Sequence, residues 1–248
     1  MIVDFLYLAW EREAFTRECL RQLYSNTDWS NISKFYIYTD AGSVLDEASV
    51  PRFPNVEIVT AKFGSPVAIM NDFLDRSEAD IFVKLDNDVI CPPGWLDEGL
   101  RLLEENPYVD LLGIEPHLRP PADGPHGIQI TGYIGGIGFM RRKIFNNSRP
   151  PIIGTRFGFT EWQLEHVEFV KAWIDPPLKV FLLDHLPFEP WNSLSAEYRQ
   201  EGWQRNPAEW GDYGPEWSSL WDWWIRKNCH DELTLPAECS PQLEGPCS

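Results

Sequence analysis

The most chemically suggestive stretch of the chain is a pair of carboxylates, Asp86 and Asp88, that directly follows an apolar run over residues 81–85. A buried strand that ends in two acids can place a hard divalent cation at the edge of a sheet. Mg²⁺ or Mn²⁺ held in this way uses one or two carboxylates together with substrate phosphates. The alternative is a plain turn, because Asp and Asn are also common loop residues.

Acidic residues also follow two other predicted strands. Asp40 comes after residues 34–39, and Asp184 with His185 comes after residues 179–183. Ligands of open α/β sheets bind beyond the carboxyl ends of the strands. We therefore expect these side chains at the same edge of the sheet as Asp86 and Asp88.

The elements that must position these side chains alternate between strand and helix in the first half of the chain. Hydrophobic patterning predicts strands at 2–9, 34–39, 56–60, 81–85 and 109–114, and helices at 12–24, 66–74 and 95–105. Strands and helices that alternate at this spacing predict an α/β fold with a Rossmann-like, mainly parallel sheet flanked by helices.

The second half of the chain is less regular. Residues 129–140 are glycine-rich and predict a strand that runs past a ligand. Residues 160–174 predict an amphipathic helix, with Leu164, Val167, Val170 and Ile174 on one face. Beyond residue 187 the composition shifts to Trp, Pro, Gly and acidic residues. We therefore expect a catalytic domain over 1–190, with halves 1–115 and 116–190, and a Trp-rich extension over 191–248 packed on it.

Composition excludes several classes of function. The 248 residues carry 21 Lys and Arg against 38 Asp and Glu, a net charge of -17. This balance argues against binding to duplex nucleic acid or to anionic lipid, both of which require basic residues. No apolar run approaches the roughly 20 residues of a membrane span, and the N-terminus lacks the features of a signal peptide. The 5 cysteines show no CxxC spacing, so we expect a reduced, cytoplasmic protein without zinc.

Further segments accompany the acidic pair in a fixed order. They are Leu8-Ala9-Trp10-Glu11-Arg12, Tyr38-Thr39-Asp40-Ala41-Gly42-Ser43, Ile69-Met70-Asn71-Asp72, the run from Leu85 through Asp86-Asn87-Asp88 to Leu96, Gly135-Gly136-Ile137-Gly138, Phe159-Thr160-Glu161-Trp162-Gln163 and Leu182-Leu183-Asp184-His185. Together they resemble the GT-A fold glycosyltransferases, closest to the family-2-like enzymes, over roughly residues 1–190. A lone DxD motif carries little information, but a DxD motif at this spacing to six other segments is far more specific.

The resemblance implies a metal-dependent transfer of sugar from a nucleotide-sugar donor, of the UDP-sugar class, to a glycan or other hydroxyl-bearing acceptor. Asp40 would accept a hydrogen bond from uracil, and Ala9 and Trp10 would lie along the base. Asp86, with Asn87 beside it, would contact ribose or the donor sugar. The metal, Mn²⁺ or Mg²⁺, would be bound by Asp88 and His185.

The resemblance also implies a general base and an acceptor side. Glu161 would draw the proton from the acceptor hydroxyl, and Gly136, Trp162 and Trp191 would lie near the acceptor. Asn71 matches the helix before the metal motif, whereas Met70 stands where the family has arginine, so Lys62 or Arg12 would supply charge near the diphosphate. The family's acidic pair is here Glu161-Trp162, which leaves inversion or retention open.

Plainer interpretations stay open for several of these residues. Glu161, Glu165 and Glu168 would form one solvated helix stripe, and His185 could be a structural residue. Of the 12 tryptophans, seven lie between Trp191 and Trp224, and most are expected to attach the tail to the domain. Two other functions remain as alternatives: a Trp-rich carbohydrate-binding protein with a divalent cation and no turnover, and a sugar nucleotidyltransferase.

Overall fold

The computed structural model describes most of the first 182 residues of the chain. The described residues are 2–9, 13–39, 45, 51–62, 66–114, 124–132, 134, 137–146 and 170–182. The chain divides into two compact units, Met1–Phe181 and Leu182–Ser248, and the fold described below is that of the first. The predicted boundary near residue 190 and the Trp-rich extension lie outside the described residues and stay predictions.

Ten strands and four α-helices make up the described elements. The strands are β1 (Val3–Ala9), β2 (Ile32–Thr39), β3 (Val56–Thr60), β4 (Ile81–Asp86), β5 (Val89–Ile90), β6 (Leu111–Gly113), β7 (Gly127–Thr131), β8 (Gly138–Arg141), β9 (Lys171–Asp175) and β10 (Phe181–Leu182). The helices are α1 (Glu13–Asn26), α2 (Pro66–Arg76), α3 (Trp95–Glu105) and α4 (Lys143–Asn146), and a short 3₁₀ turn covers Trp29–Asn31.

An eight-stranded sheet forms the centre of the unit, in the order β3-β2-β1-β4-β8-β6-β9-β7. Strands β3, β2, β1 and β4 are all parallel, and β6 is parallel to β9. Strands β8 and β7 run antiparallel to their neighbours. The predicted α/β architecture with its parallel half is confirmed, and strands β5 and β10 form a separate two-stranded sheet.

The two faces of the parallel half are covered by different helices. Helix α2 packs its Phe73 against Tyr36 of β2 and Phe82 of β4. On the opposite face, Trp95 of α3 contacts Phe5 of β1, with ring centroids 5.7 Å apart. Every residue of β1 is buried, as expected for a central parallel strand covered on both sides.

Helix α3 shows how local sequence fixes an element. It begins after Gly94, which has a left-handed φ of 77° that suits glycine. Asp97 and Glu98 in its first turn complement the partial positive charge of the helix N-terminus. Its buried residues recur at helical spacing: Trp95, Leu96, Gly99, Leu102 and Leu103. The glycine lets the helix approach the sheet closely, because a Cβ at Gly99 would lie 2.2 Å from Cζ of Phe139.

One prediction for the second half of the chain is wrong, and a second is incomplete. The helix predicted over 160–174 does not extend to its expected end, because Lys171–Asp175 is strand β9 and Val170 lies just before it. The single strand predicted within 129–140 is two strands, β7 and β8, which are separated in the sheet by β6 and β9. Both differences arise because hydrogen bonding to strands that are distant in sequence determines the structure of these segments.

None of the helices in the described part of the chain has the length and apolar character that a bilayer crossing needs. Of the five cysteines, Cys19 and Cys91 are described, and both are buried free thiols. Burial raises the pKa of the Cys91 thiol, which keeps it protonated and unreactive at neutral pH.

Candidate functional site

The carboxyl ends of the parallel strands come together at one edge of the sheet. Ala9 of β1 is aligned with Thr39 of β2, and Thr39 is aligned with Thr60 of β3. On the other side of β1, Leu8 is aligned with Asp86 of β4. Strands β2 and β3 lie on one side of β1, whereas β4 lies on its other side. Such a reversal of strand order opens the crevice in which open α/β sheets bind their ligands.

The acidic pair lies in a tight turn at this crevice. Strand β4 ends at Asp86, residues 87 and 88 form the turn, and β5 begins at Val89. The Asp86 side chain is 35% exposed and Asp88 is half-buried. Between them, Asn87 is only 7% exposed, and its amide Nδ2 donates a hydrogen bond of 3.0 Å to Thr16 Oγ1 on α1. The buried amide therefore anchors the turn, and the two carboxylates flank the anchor.

A buried lysine contacts the first of these carboxylates. Lys84 lies two residues before Asp86 on β4, so both side chains project from the same face of the strand. Lys84 Nζ lies 2.6 Å from Asp86 Oδ1, although the lysine side chain is only 2% exposed. The ammonium thus reaches the sheet edge from the interior and holds one oxygen of the carboxylate.

The turn offers oxygen donors of the kind that a divalent cation prefers. Asp86 and Asp88 supply hard carboxylate oxygens, which suit Mg²⁺ or Mn²⁺. Within the described residues, no group of three or more His, Cys, Asp or Glu could hold a metal ion. Mg²⁺ commonly takes its remaining ligands from water and substrate phosphates.

Two buried hydroxyl groups near this edge have no hydrogen-bond partner in the part of the chain that the structure describes: Tyr7 on β1 and Thr39 at the end of β2. The pKa of Tyr7 is raised well above its ordinary value, chiefly by burial and further by the nearby Cys19 and Asp88. Thr39 is 3% exposed and is the last residue before Asp40. An unsatisfied hydroxyl at the end of a parallel strand suits an edge that receives a polar ligand.

The structure positions three more of the predicted site residues and one neighbour of them. Ala9 ends β1 and is buried, with only 1% of its surface exposed. Lys62 is exposed beyond β3, which is three strands away from β4 in the sheet. Asn71 is half-buried in the middle of α2. Met70, the residue before it, is 2% exposed and belongs to the apolar core under α2, which explains an apolar side chain there.

The remaining predicted site residues lie outside the described residues, and their roles stay predictions. They are Trp10, Arg12, Asp40, Gly136, Glu161, Trp162, His185 and Trp191. The described part of the chain brings Ala9, Asp86, Asn87 and Asp88 to one edge, while Lys62 lies at the far end of that edge and Asn71 on a flanking helix.

Sequence reasoning missed Lys84 and Thr16 as parts of this site. A lysine inside an otherwise apolar strand was the available signal for Lys84, since strand alternation puts it on the face of Asp86. Thr16 gave no signal, because its contact with Asn87 joins residues that are 71 positions apart.

Comparison with known proteins shows the fold. No protein-family model matches the chain, and no curated protein matches it. Among solved structures, TarS 1-349 from S. aureus is similar with a TM-score of 0.54 at 11% identity, over 89% of this chain and 78% of that one. The match places the chain in the GT-A fold of glycosyltransferases.

For two other similar structures, the match covers a smaller share of their own length. The mannosyltransferase PcManGT from Pyrobaculum calidifontis, solved in complex with GDP-Man and Mn²⁺, has a TM-score of 0.45 at 13% identity. It is matched over 58% of this chain and 45% of its own. The glucosyl-3-phosphoglycerate synthase from Mycobacterium tuberculosis, solved with Mn²⁺, UDP and phosphoglyceric acid, has a TM-score of 0.39 at 15% identity. That match covers 58% of this chain and 57% of the synthase.

Proposed function

We propose that the protein is a divalent-metal-dependent glycosyltransferase that transfers a sugar from a nucleotide-sugar donor, of the UDP-sugar class, to an acceptor hydroxyl. The observation that carries the proposal is the anchored turn of Asp86, Asn87 and Asp88 at the sheet crevice between β1 and β4. In a GT-A fold, this crevice is where an anionic donor and a cation can meet.

Charge explains why a cation belongs in the proposal. The chain carries a net charge of -17, and the crevice itself presents two carboxylates. A nucleoside diphosphate would be repelled by such an edge unless positive charge lies between the diphosphate and the carboxylates. When bound, Mn²⁺ or Mg²⁺ neutralises charge that develops on the leaving diphosphate. Asp88, half-buried beside the anchored amide, would hold the ion.

The other predicted site residues have separate roles in the proposal. Asp86 would accept hydrogen bonds from ribose or sugar hydroxyls, and the end of β1 at Ala9 would lie along the nucleobase. For the proton of the acceptor hydroxyl the proposal keeps Glu161 as general base, and it keeps His185 as the second metal ligand. Asp40 remains the proposed contact to the uracil ring.

Calorimetry with UDP, with and without Mn²⁺, tests the donor side directly. The proposal expects UDP to bind more tightly in the presence of Mn²⁺, and it expects Asp88→Ala to abolish that enhancement. Asp97→Asn is the matched control, since Asp97 is an exposed acid in the first turn of α3 and its substitution should leave the enhancement intact. Binding that is absent, or that ignores the metal in the unsubstituted protein, would contradict the proposal.

Turnover separates an enzyme from a binding protein. A panel of UDP- and GDP-sugars with Mn²⁺, monitored by release of free nucleotide, should identify one donor that is hydrolysed slowly without acceptor. Glycan binding with no nucleotide release from any donor would favour the carbohydrate-binding alternative. Formation of a nucleotide-sugar from a nucleoside triphosphate and a sugar phosphate would favour the nucleotidyltransferase.

A further inference from the structure

A cavity of about 240 Å³ lies beside the beginning of helix α3. Three segments of the chain contribute to its lining: the loop before α3 with the first turn of the helix (92–98), residues 124–126 before β7, and residues 178–179 beyond β9. All three segments belong to the first compact unit. The volume is below the roughly 300–1,000 Å³ of sites for drug-sized ligands, so the cavity suits a ligand of about one ring.

The cavity lies at the same edge of the sheet as the acidic turn. Strand β8 is antiparallel to both β4 and β6, and β6 is parallel to β9, so β4 and β9 run in the same direction. Strand β4 ends at Asp86 and β9 ends at Asp175, and the cavity residues Leu178 and Lys179 follow shortly after β9. In the sheet, β9 lies three strands from β4 on the side away from β1, which is about 14 Å at roughly 4.8 Å per strand.

This position is the one that an acceptor needs. The proposed donor would extend along the edge from β1 to β4, with its base at the end of β1 and its diphosphate at the acidic turn. An acceptor hydroxyl has to be held close to the sugar carbon that it attacks, on the side that the nucleotide does not occupy. Along this edge that side is the one toward β8, β6 and β9, where the cavity lies.

His126, which lines the cavity, is held in one tautomer. Its Nδ1 lies 2.7 Å from the carbonyl oxygen of Pro176. Because a carbonyl oxygen only accepts hydrogen bonds, Nδ1 carries the proton, and in the neutral ring Nε2 is an acceptor. Arg101 Nη2 donates to the His126 carbonyl oxygen over 3.0 Å, which ties the backbone of His126 to α3. The ring therefore supplies one defined acceptor.

Glu98, also in the lining, binds Arg101 through both of its oxygens. Arg101 Nε donates to Oε2 over 2.9 Å, and Nη2 donates to Oε1 over 2.6 Å. The hydrogen bond from Arg101 lowers the pKa of Glu98, and nearby His126 lowers it further, so the carboxylate is ionised at neutral pH. Each carboxylate oxygen has a second lone pair. The pair with Arg101 therefore orients Glu98 and leaves it able to accept further hydrogen bonds.

The chemistry of the lining indicates the class of ligand. His126 Nε2 and the Glu98 carboxylate accept hydrogen bonds, whereas Lys179 donates them. Pro92 and Pro93 add apolar surface. A sugar ring matches this mixture, because its hydroxyls both donate and accept hydrogen bonds and its C–H faces are apolar. A phosphate or carboxylate group would instead be repelled by the ionised Glu98.

We propose that this cavity is the acceptor subsite and that it binds one sugar ring of a glycan acceptor, with His126 and Glu98 accepting hydrogen bonds from the ring hydroxyls. This inference rests on the proposed function, since the acceptor is the one that receives the transferred sugar. It narrows the acceptor from any hydroxyl-bearing molecule to a carbohydrate, and it assigns acceptor binding to residues that the sequence did not indicate.

Binding of methyl glycosides to the full chain tests the proposal without turnover. The probes are both anomers of the methyl glycosides of glucose, galactose, mannose and N-acetylglucosamine, added together with UDP and Mg²⁺. Saturation-transfer difference NMR measures their binding, and we expect at least one glycoside to bind the unsubstituted protein. Binding of UDP with the metal but of none of the glycosides would overturn the inference and leave the proposed function intact.

Two substitutions remove the proposed acceptors one at a time. His126→Asn keeps a side-chain amide that can donate to Pro176 in place of Nδ1, but it removes Nε2. Glu98→Gln removes the charge and keeps the shape of the side chain. Each should weaken glycoside binding about tenfold, the effect of losing one such hydrogen bond, and should leave the affinity for UDP unchanged.

Glu105→Gln is the matched control for Glu98→Gln. Glu105 also binds Arg101, with Oε2 2.6 Å from Nη1, but its side chain is 55% exposed and is not part of the cavity lining. This variant should bind glycosides and UDP as the unsubstituted protein does. Thermal unfolding identifies the variants that are folded at the assay temperature, and either His126→Asn or Glu98→Gln alone is sufficient for the comparison.

The outcomes separate this inference from the proposed function. Equal glycoside affinities of the folded His126→Asn, Glu98→Gln and Glu105→Gln proteins overturn the role of the cavity. Binding of inorganic phosphate that Glu98→Gln strengthens, with no glycoside bound, overturns it in favour of an anion site. Failure of the unsubstituted protein to bind UDP with Mg²⁺ or Mn²⁺ overturns the proposed function, and the acceptor role of the cavity with it.

Discussion

The buried amide of Asn87 is the part of the site whose removal should couple stability to ligand binding most directly. Its Nδ2 donates to Thr16 Oγ1 over 3.0 Å, and Thr16 is 0% exposed. Substitution by Ala removes the amide and leaves the Thr16 oxygen without this donor in a site closed to water. Loss of a buried hydrogen bond of this kind costs about 2 kcal/mol. For a domain of this size, that corresponds to a fall in melting temperature of about 4–8 °C.

The same substitution should weaken binding, because the turn between β4 and β5 carries both acids. With the anchor gone, Asp86 and Asp88 lose their fixed separation, and we expect the Kd for UDP in the presence of Mn²⁺ to rise about tenfold. Calorimetry well below the melting temperature measures the Kd of folded protein, and thermal unfolding followed by circular dichroism measures stability. The two readouts can therefore be compared on the same preparations.

Substitutions on the α1 side of this hydrogen bond supply the control. Thr16→Val removes the acceptor with little change in shape and should match Asn87→Ala in both readouts. Thr16→Ser keeps the hydroxyl and should retain UDP binding, although it removes a buried methyl group and costs about 1 kcal/mol of stability. The reasoning is refuted if Asn87→Ala and Thr16→Val lower stability as expected but bind UDP and Mn²⁺ as the unsubstituted protein does.

Two further predictions concern buried polar groups. Tyr7→Phe removes a buried hydroxyl that has no partner within the described residues, so the free energy of unfolding in urea should rise by about 1–2 kcal/mol; a fall would mean that the hydroxyl has a stabilising contact. Burial raises the pKa of Asp4 above 3.8, against the opposing hydrogen bond from Ser77. A raised carboxyl pKa gives stability that is full below the unfolded value and is lost as the pH rises through the folded one. The free energy of unfolding of Asp4→Asn should therefore rise relative to that of the unsubstituted protein between about pH 4 and pH 7. An equal difference between the two proteins in urea unfolding at pH 4 and at pH 7 would contradict this.

The parts of the fold that follow from local sequence were predicted well. Strand β3 and helix α3 have the predicted bounds, Val56–Thr60 and Trp95–Glu105. Both segments are bounded by strong local signals, and α3 repeats its apolar residues at helical spacing. The acidic turn was also predictable, because an apolar strand of residues 81–85 ends directly at Asp86.

The parts that depend on distant partners were not predictable in the same way. Val170 and Ile174 fit a helical period. Lys171–Asp175 nevertheless forms a strand, because it pairs with β6 and β7, and its residues alternate between half-buried and buried. The ion pair of Lys84 needed the burial of β4 between β1 and β8 before it could be recognised. A single sequence shows the lysine but not the enclosure that makes it informative.

The position of β1 has a consequence for how the chain reaches its fold. It precedes the other described strands in the chain, yet it lies between β2 and β4, with Val3 aligned to Ile32 and to Ile81. An apolar strand that is buried along its whole length must therefore wait for its second partner until residue 86 has been made. Pairing over such separations closes slowly and exposes the strand to association with other nascent chains.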